Sequence, residues 1–542
     1  MKNRFYFILL VIFVVLNIGL GSWGLAETSE ARYAEIGREM ALSGDYLHPT
    51  LLGIQHYHKP PVTYYITAIG YKIFGINEFG ARFFLSVSLI LQMFFVFKIG
   101  GLLFKDQKIA FSSALIYFSF PVVLIAARNL TTDAYLATFI LWSIYFWLQY
   151  KNGKPAYYLY GFYVMLGLAF LTKGPVAILP VVIFIGCWKI VNKEKLKFSI
   201  RTLIGSLLFL IVAGSWFAAI IIDKPQLWDY FIDEQIVNRT IAAQSFHRNQ
   251  PFWYYLVLAP LLGFPWLIFI VLDLKRKFKT IVKEKSIALI LAISVIISMI
   301  IFSAFSSKLV LYILPIYSFI SLLAGYILFN STGKWINIYV KFYIVLFASL
   351  LLGLIVGGTG SWIFLDGKYT ILLILFTAGI GIYLWKYSGI NPRFQLLYLG
   401  MSFSICLLLT DALFSAGNPF LINSAKELVT YAKQKSGKDF NRLIIFDYLL
   451  PSASFYLNDE IVTVENTNFN AQRDIRFEKA VIFKNNFLDL KQKKDLHQFE
   501  DLMLEKGNVL IERKGHRLND SLDYLFKNYD NCEELNKWII YY

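Results

Sequence analysis

About thirteen stretches of this chain are apolar over roughly 20 residues each, the length at which an α-helix crosses the hydrocarbon of a bilayer. No other pattern limits the fold so strongly. In lipid each backbone N–H and C=O must be satisfied within the protein, and a helix does so inside one segment. The apolar centres fall near Val14, Leu91, Leu115, Leu141, Leu166, Val182, Phe209, Leu262, Ser294, Ser318, Phe347, Leu375 and Ser404. Only 16% of the residues are charged and 57% are hydrophobic, against about 25% charged in soluble domains. The expected fold is a polytopic α-helical membrane protein with about 13 transmembrane helices. The pieces at Thr172–Pro175 and Ser306–Lys308 read as tight turns between spans or as breaks within one. The first apolar run exceeds the ~7–15 residues of a signal peptide core, which favours a retained first helix.

The net charge of +16 would fit a nucleic-acid binder, but its placement argues otherwise. Lys and Arg concentrate in short loops: Lys2/Arg4, Lys105/Lys108, Lys151/Lys154, Lys193 to Arg201, and Lys275 to Lys285. With alternating spans and a cytoplasmic N-terminus, all of these fall on the cytoplasmic side. The loops 27–82 and 223–254 and the C-terminal tail then lie outside. Cys187 and Cys406 sit in apolar runs and Cys532 in the tail, so neither a disulfide framework nor a Cys-x-x-Cys zinc site is expected.

Residues 1–415 read as the membrane domain. Beyond them charge rises and short apolar strands appear at Leu443–Phe446, Ile461–Val464, Ala480–Phe483 and Val509–Ile511. A helical pattern covers Ser424–Gln434, with Ser424 as N-cap. Residues 416–542 are therefore expected to form a small extracytoplasmic α/β domain.

The loop 27–82 carries Glu27, Glu30, Glu35, Glu39, Asp45, Arg32, Arg38, Lys59 and three of the six histidines, His48, His56 and His58. In Glu30–Met40, Tyr33, Ile36 and Met40 recur at helical spacing, which predicts an interfacial helix with one apolar stripe. Glu35, Arg38 and Glu39 then form a solvated face, and Tyr33, Tyr57, Tyr64 and Tyr65 are interfacial aromatics. Pro60-Pro61 starts a second helix, placing Lys59 ahead of a helix N-terminus, where anions are favoured. Arg128, Asp133, Lys173 and Lys308 lie at outer span ends, and Glu234, Arg239, His247 and Arg248 lie in the second loop. Each base either snorkels to headgroups or binds an anion such as a phosphate. Asp133 either caps a helix or serves as a general base. His56 and His58 form a His-x-His pair, read either as solvated loop histidines or as ligands to a divalent metal ion.

The stretch SEARYAEIGREMALSGDYLHPTLLGIQHYHKPPVTYYITAIGYKIFGINEFGARF resembles the first outer loop of the bacterial lipid A aminoarabinose transferase family. Asp133, LTKGPVAILP, NRT…HRNQPFWYY and KLVLYILP follow in the family's order. These are polyprenol-phosphate-dependent GT-C glycosyltransferases, related to protein O-mannosyltransferases. The resemblance implies a GT-C type fold in the bacterial inner membrane, with the C-terminal domain periplasmic. It implies an inverting transfer of a sugar from a polyprenyl-phosphate donor to a lipid A-like, other lipid or protein acceptor. It further implies Arg32, Lys59, Lys173, Arg239, Arg248, Lys308 and Tyr312 as phosphate-binding residues, with Tyr33 and His247 nearby. Glu30, Asp133 and Glu27 are the candidate catalytic carboxylates. Ser29 stands where the family has aspartate, and His56 and His58 replace a tyrosine and an acidic residue. The competing functions are a lipid-linked sugar flippase or transporter, which would place charges and helix breaks at mid-membrane, and an O-antigen ligase or polymerase.

Overall fold

The computed structural model describes the chain except residues 28, 196–197, 233–249, 273–285, 331–335, 360–362, 387–390, 467–485 and 519. It divides into two compact units. The first comprises Met1–Leu20, His58–Thr63 and Arg82–Gly417, and the second Gly21–Tyr57, Tyr64–Ala81 and Asn418–Tyr542.

The first ten helices are α1 (Lys2–Asn17), α2 (Ser29–Ser43), α3 (Val62–Phe74), α4 (Glu78–Phe104), α5 (Gln107–Phe118), α6 (Pro121–Arg128), α7 (Thr132–Lys151), α8 (Ala156–Lys173), α9 (Leu179–Val191) and α10 (Ile200–Asp223). Further helices in the first unit cover Tyr254–Leu262, Trp266–Leu272, Ile287–Ala304, Leu314–Asn330, Ile336–Thr359, Gly367–Lys386 and Pro392–Gly417. All thirteen expected centres lie in these helices. Among the described residues, however, seven helices are long and apolar enough to cross a membrane, or nine if two bent pairs each count as one span. The bends have local causes. Pro121 at the start of α6 follows a 60° break after α5, and the 107° bend between Tyr254–Leu262 and Trp266–Leu272 falls at Gly263–Pro265. Proline stops the helix that precedes it and starts the next.

In a bilayer, helices gain most from close packing, which small residues permit. A Cβ on Gly205 of α10 would stand 2.2 Å from Tyr163 of α8, and one on Gly325 would stand 2.3 Å from Ser113 Oγ of α5. The core of this unit is aromatic and aliphatic, with Phe5, Phe111, Phe118, Phe120, Tyr317, Trp266 and Tyr343 almost fully buried.

In the second unit a two-stranded ribbon, β1 (Thr50–Leu51) and β2 (Ile54–Gln55), follows α2. A six-stranded sheet is ordered β5-β4-β3-β6-β8-β7. Its strands are β3 (Leu443–Phe446), β4 (Val462–Glu465), β5 (Phe487–Asp489), β6 (Val509–Arg513), β7 (Cys532–Leu535) and β8 (Trp538–Tyr541). Strands β5, β4, β3 and β6 run parallel; β8 and β7 are added antiparallel. Alternate residues of β3 explain the layering. Leu443 and Ile445 face a cluster containing Leu428, Val429 and Ala453, whereas Ile444 and Phe446 face Phe499, Leu502 and Met503. The expected strand at Ala480–Phe483 lies outside the described residues. The expected helix at Ser424–Gln434 begins later, at Lys426, with Ala425 as N-cap. Ser424 Oγ instead accepts from Lys426 N–H, and Ala425 N–H is taken by Ser452 Oγ.

Candidate active site

In the first unit the ionised groups gather at helix ends. Asp133 occupies the first turn of α7, whose N-cap is Thr131, and Lys173 the last turn of α8. Each thus complements the dipole of its own helix. The chain turns back after Lys173 through Gly174, at φ +79°, a backbone region that glycine enters freely, and Pro175 opens the short 3-10 turn that leads to α9. The Asp133 carboxylate and Lys173 ammonium form an ion pair, with each side chain only 6% exposed. Lys173 Nζ also lies 3.8 Å from the ring centre of Tyr312, a cation–π contact. Tyr312 comes from the 3-10 turn Val310–Ile313. Lys308 is buried and donates to Gln250 O at 2.6 Å.

Arg128 is buried as well. Its guanidinium donates to Ile18 O at 3.3 Å and Leu408 O at 3.1 Å and approaches Asp411 at 4.0 Å. These contacts correct the snorkelling reading for Arg128, Lys173 and Lys308, because their charged ends are committed to protein partners. Asp133 is likewise an ion-pair member in the first helical turn and not the N-cap. Lys59 is half-buried just ahead of Pro60-Pro61, with α3 beginning at Val62. The His58 ring lies 6.1 Å from that of Tyr230.

In the second unit α2 is more deeply buried than its sequence implies. Ile36 and Met40 pack with Leu51 and Tyr64 as the apolar stripe predicts. The opposite face is not solvated. Glu35 is 0% exposed and Arg38 6% exposed. Arg38 holds Glu35 through two hydrogen bonds, at 2.7 and 2.8 Å, and donates to Ser454 Oγ at 3.2 Å and Asn458 Oδ1 at 3.4 Å. Glu39 accepts from Leu52 N–H at 2.6 Å and from Gly53 N–H at 3.3 Å. Burial and the adjacent Glu35 push the Glu39 carboxyl well above the usual carboxylate range. Tyr57 and Tyr64 are also buried in full, so they are core residues of this unit and not interfacial aromatics.

The candidate catalytic carboxylates of this unit have backbone partners. Glu30 is buried and accepts from Ala26 N–H at 2.9 Å. Glu27 accepts from Ser452 N–H at 2.8 Å, at the start of the Pro451–Leu457 helix, and burial pushes its carboxyl up to about 7. Among the described residues, Arg32 Nε is buried with no hydrogen-bond partner. The Tyr33 ring packs 5.9 Å from that of Tyr64. His56 is buried, and its backbone N–H donates to Pro49 O at 2.8 Å. Arg239, His247 and Arg248 lie outside the described residues. Among the described residues there is no group of three or more His, Cys, Asp or Glu side chains able to hold a metal ion. Among the described residues the His56/His58 pair thus gains no third ligand of these types.

The Glu35–Arg38 pair was legible as an i,i+3 spacing of opposite charges. Its burial was not. The polar residues inside apolar runs, among them Ser88, Gln92 and Thr138, carried the general signal of polar groups at membrane depth.

Helical spans, a separate α/β sheet unit and ion-paired groups at helix ends define a polytopic α-helical membrane protein with an α/β domain. Residues 58–217 match the family model described as dolichyl-phosphate-mannose-protein mannosyltransferase. The chain is 31% identical over 330 residues to an undecaprenyl phosphate-α-4-amino-4-deoxy-L-arabinose arabinosyl transferase of Proteus mirabilis, covering 59% of this chain and 58% of the relative. A relative of the same name from Pseudomonas fluorescens is 30% identical over 314 residues, covering 57% of this chain and 56% of its own. The chain thus aligns with somewhat over half the length of these relatives. The crystal structure of ArnT from Cupriavidus metallidurans in the apo state matches with a TM-score of 0.76 at 19% identity, over 100% of this chain and 98% of that one. Its form bound to undecaprenyl phosphate matches with a TM-score of 0.75 at 19% identity, with the same coverage. Over its whole length the chain thus shares the fold of the two ArnT structures.

Proposed function

We propose that this protein is an inverting glycosyltransferase that moves a sugar from a polyprenyl-phosphate donor to a lipid A-like acceptor at the outer face of the bacterial inner membrane. The observation that carries this reading is the buried Asp133–Lys173–Tyr312 arrangement at the ends of membrane helices, within a fold shared with a protein crystallised with undecaprenyl phosphate. By the names of its relatives, the sugar is 4-amino-4-deoxy-L-arabinose and the lipid carrier is undecaprenyl phosphate.

In this reading residues 1–415 bind the donor and 416–542 form the periplasmic domain, with the N-terminus cytoplasmic. Lys59, Lys173, Lys308, Arg32, Arg239, Arg248 and Tyr312 serve the donor or acceptor phosphates. Lys173 is suited to this because its ammonium already sits over an aromatic face, and a phosphate oxygen competes with Asp133 for it. In the transfer an acceptor oxygen attacks the anomeric carbon. The carbon–oxygen bond to phosphate breaks, and polyprenyl phosphate leaves with the electron pair. An acceptor hydroxyl gives its proton to a carboxylate, Asp133 or Glu30; an ionised phosphate acceptor needs no such base. Glu27 supports the fold near Ser452 in preference to catalysis.

The test is transfer in proteoliposomes, with undecaprenyl-phosphate aminoarabinose and lipid A supplied and the product read by mass spectrometry. A lipid A species heavier by one aminoarabinose residue is expected. Relocation of the donor across the bilayer without transfer would instead establish a flippase. Repeating the assay with EDTA and with added Mg2+ tests the divalent ion; a loss restored by Mg2+ would return His56 and His58 as ligand candidates.

A further inference from the structure

We propose that Gln92, held between Tyr117 and the first turn of α7, is a positioning residue for Asp133; this rests on the reading of Asp133 as part of the catalytic site. The residue next to Asp133 is Ala134. In an α-helix its carbonyl already accepts from the backbone four residues on. Here three further donors stand within hydrogen-bond distance of it: Gln92 Nε2 at 2.7 Å, Ser88 Oγ at 3.0 Å and Thr138 Oγ1 at 3.1 Å. Gln92 Nε2, with two N–H groups, gives one to this carbonyl and has Thr138 Oγ1 at 3.0 Å and Ser88 Oγ at 3.2 Å as acceptors for the other. Ser88 Oγ and Thr138 Oγ1 are themselves 2.6 Å apart.

Gln92 is oriented from its other side. Tyr117 OH, on α5, donates to Gln92 Oε1 at 2.8 Å. With that oxygen engaged, the amide turns its N–H groups toward α7. All four side chains are buried: Tyr117 0%, Gln92 2%, Ser88 3% and Thr138 5% exposed. No water competes at such a site, and each donor that loses its acceptor is left unsatisfied. The network therefore fastens α4 and α5 to the backbone of one particular helical turn, the turn that carries Asp133. Nothing in the ion pair with Lys173 fixes the height of that turn along α7, because a lysine side chain follows its partner easily. The Gln92 clamp does fix it.

The experiment uses the full-length protein in proteoliposomes with the donor and acceptor above. It compares Gln92→Met, Thr138→Val, Asp133→Asn and the Gln92→Met/Asp133→Asn double variant. A displacement of about 1 Å at a reacting group costs on the order of 100-fold in rate. For Gln92→Met and Thr138→Val we expect kcat per folded molecule to fall roughly 10- to 100-fold, with donor KM within about twofold. Because Gln92 acts through Asp133, the double variant is expected to be no slower than Asp133→Asn alone. Tyr117→Phe, which leaves the amide free to turn, should show an intermediate loss. Wild-type kcat in both Gln92→Met and Thr138→Val, beside an inactive Asp133→Asn, overturns this inference alone. So does a double variant slower than Asp133→Asn by the full factor of Gln92→Met. Full activity of Asp133→Asn overturns the reading of the site and this inference with it.

Discussion

Arg38→Met tests the buried ion pair of α2 most sharply. Glu35 has no solvent exposure, and its two carboxylate oxygens are both held by Arg38. Removing one partner of a buried pair leaves a lone charge and typically costs about 3–5 kcal/mol. The penalty of Arg38→Met should therefore approach about 4 kcal/mol. For a unit of this size that corresponds to a Tm lower by roughly 8–16 °C. Glu35→Gln leaves the Arg38 guanidinium buried without its carboxylate and should cost a similar amount. The Glu35→Leu/Arg38→Met double variant should recover most of the loss, since a buried pair replaced by apolar groups is often close to neutral. Differential scanning fluorimetry of the purified protein measures all three. An Arg38→Met protein melting within 2 °C of wild type, or a double variant no more stable than Arg38→Met, would refute the reasoning (roughly 2 °C being under 1 kcal/mol here).

Glu27 gives a second pH signature. Its carboxyl is raised from 4.5 to about 7, so the folded state holds the proton more tightly than the unfolded chain. Stability should fall as pH rises from about 4.5 through about 7, by up to about 3 kcal/mol, and Glu27→Gln should flatten that slope in pH-dependent melting. Lys173→Met leaves Asp133 buried without its cation; transfer should drop by roughly 100-fold or more, with Lys173→Arg retaining a measurable part. Gly205→Ala places a methyl group against the Tyr163 ring and should cost roughly 1–3 kcal/mol in detergent melting. Tyr163→Leu in the same chain should return part of it, and additive losses would show that the two helices do not meet there.

The membrane fold was legible because its signal is one-dimensional. A span needs only a long apolar run, and each expected centre falls in a helix. Span number was less legible, since the bends after Phe118 and near Gly263 depend on where proline and packing interrupt a continuous run. In the C-terminal region, apolar strands such as Leu443–Phe446 announced themselves by burial on both faces. The final hairpin, Cys532–Tyr541, did not, because its strand β7 alternates exposed and half-buried residues at a sheet edge.

The site was legible as a set of residue types and not as a set of partners. Asp133 and Lys173 stand out as ions beside spans, yet they are 40 residues apart, and only the antiparallel packing of α7 on α8 makes them a pair. The same limit governs α2. Its sequence determined a helix and one apolar stripe, because 3.6-residue periodicity encodes one face. It left open what the polar face meets, since Glu35 and Arg38 suit water and each other equally well. Only the tertiary structure decided that, by bringing Ser454 and Asn458 from some 400 residues away and closing water out. Sequence by itself fixed the solvent each segment prefers; the enclosed polar contacts arise from proximity between distant segments, which no local pattern records.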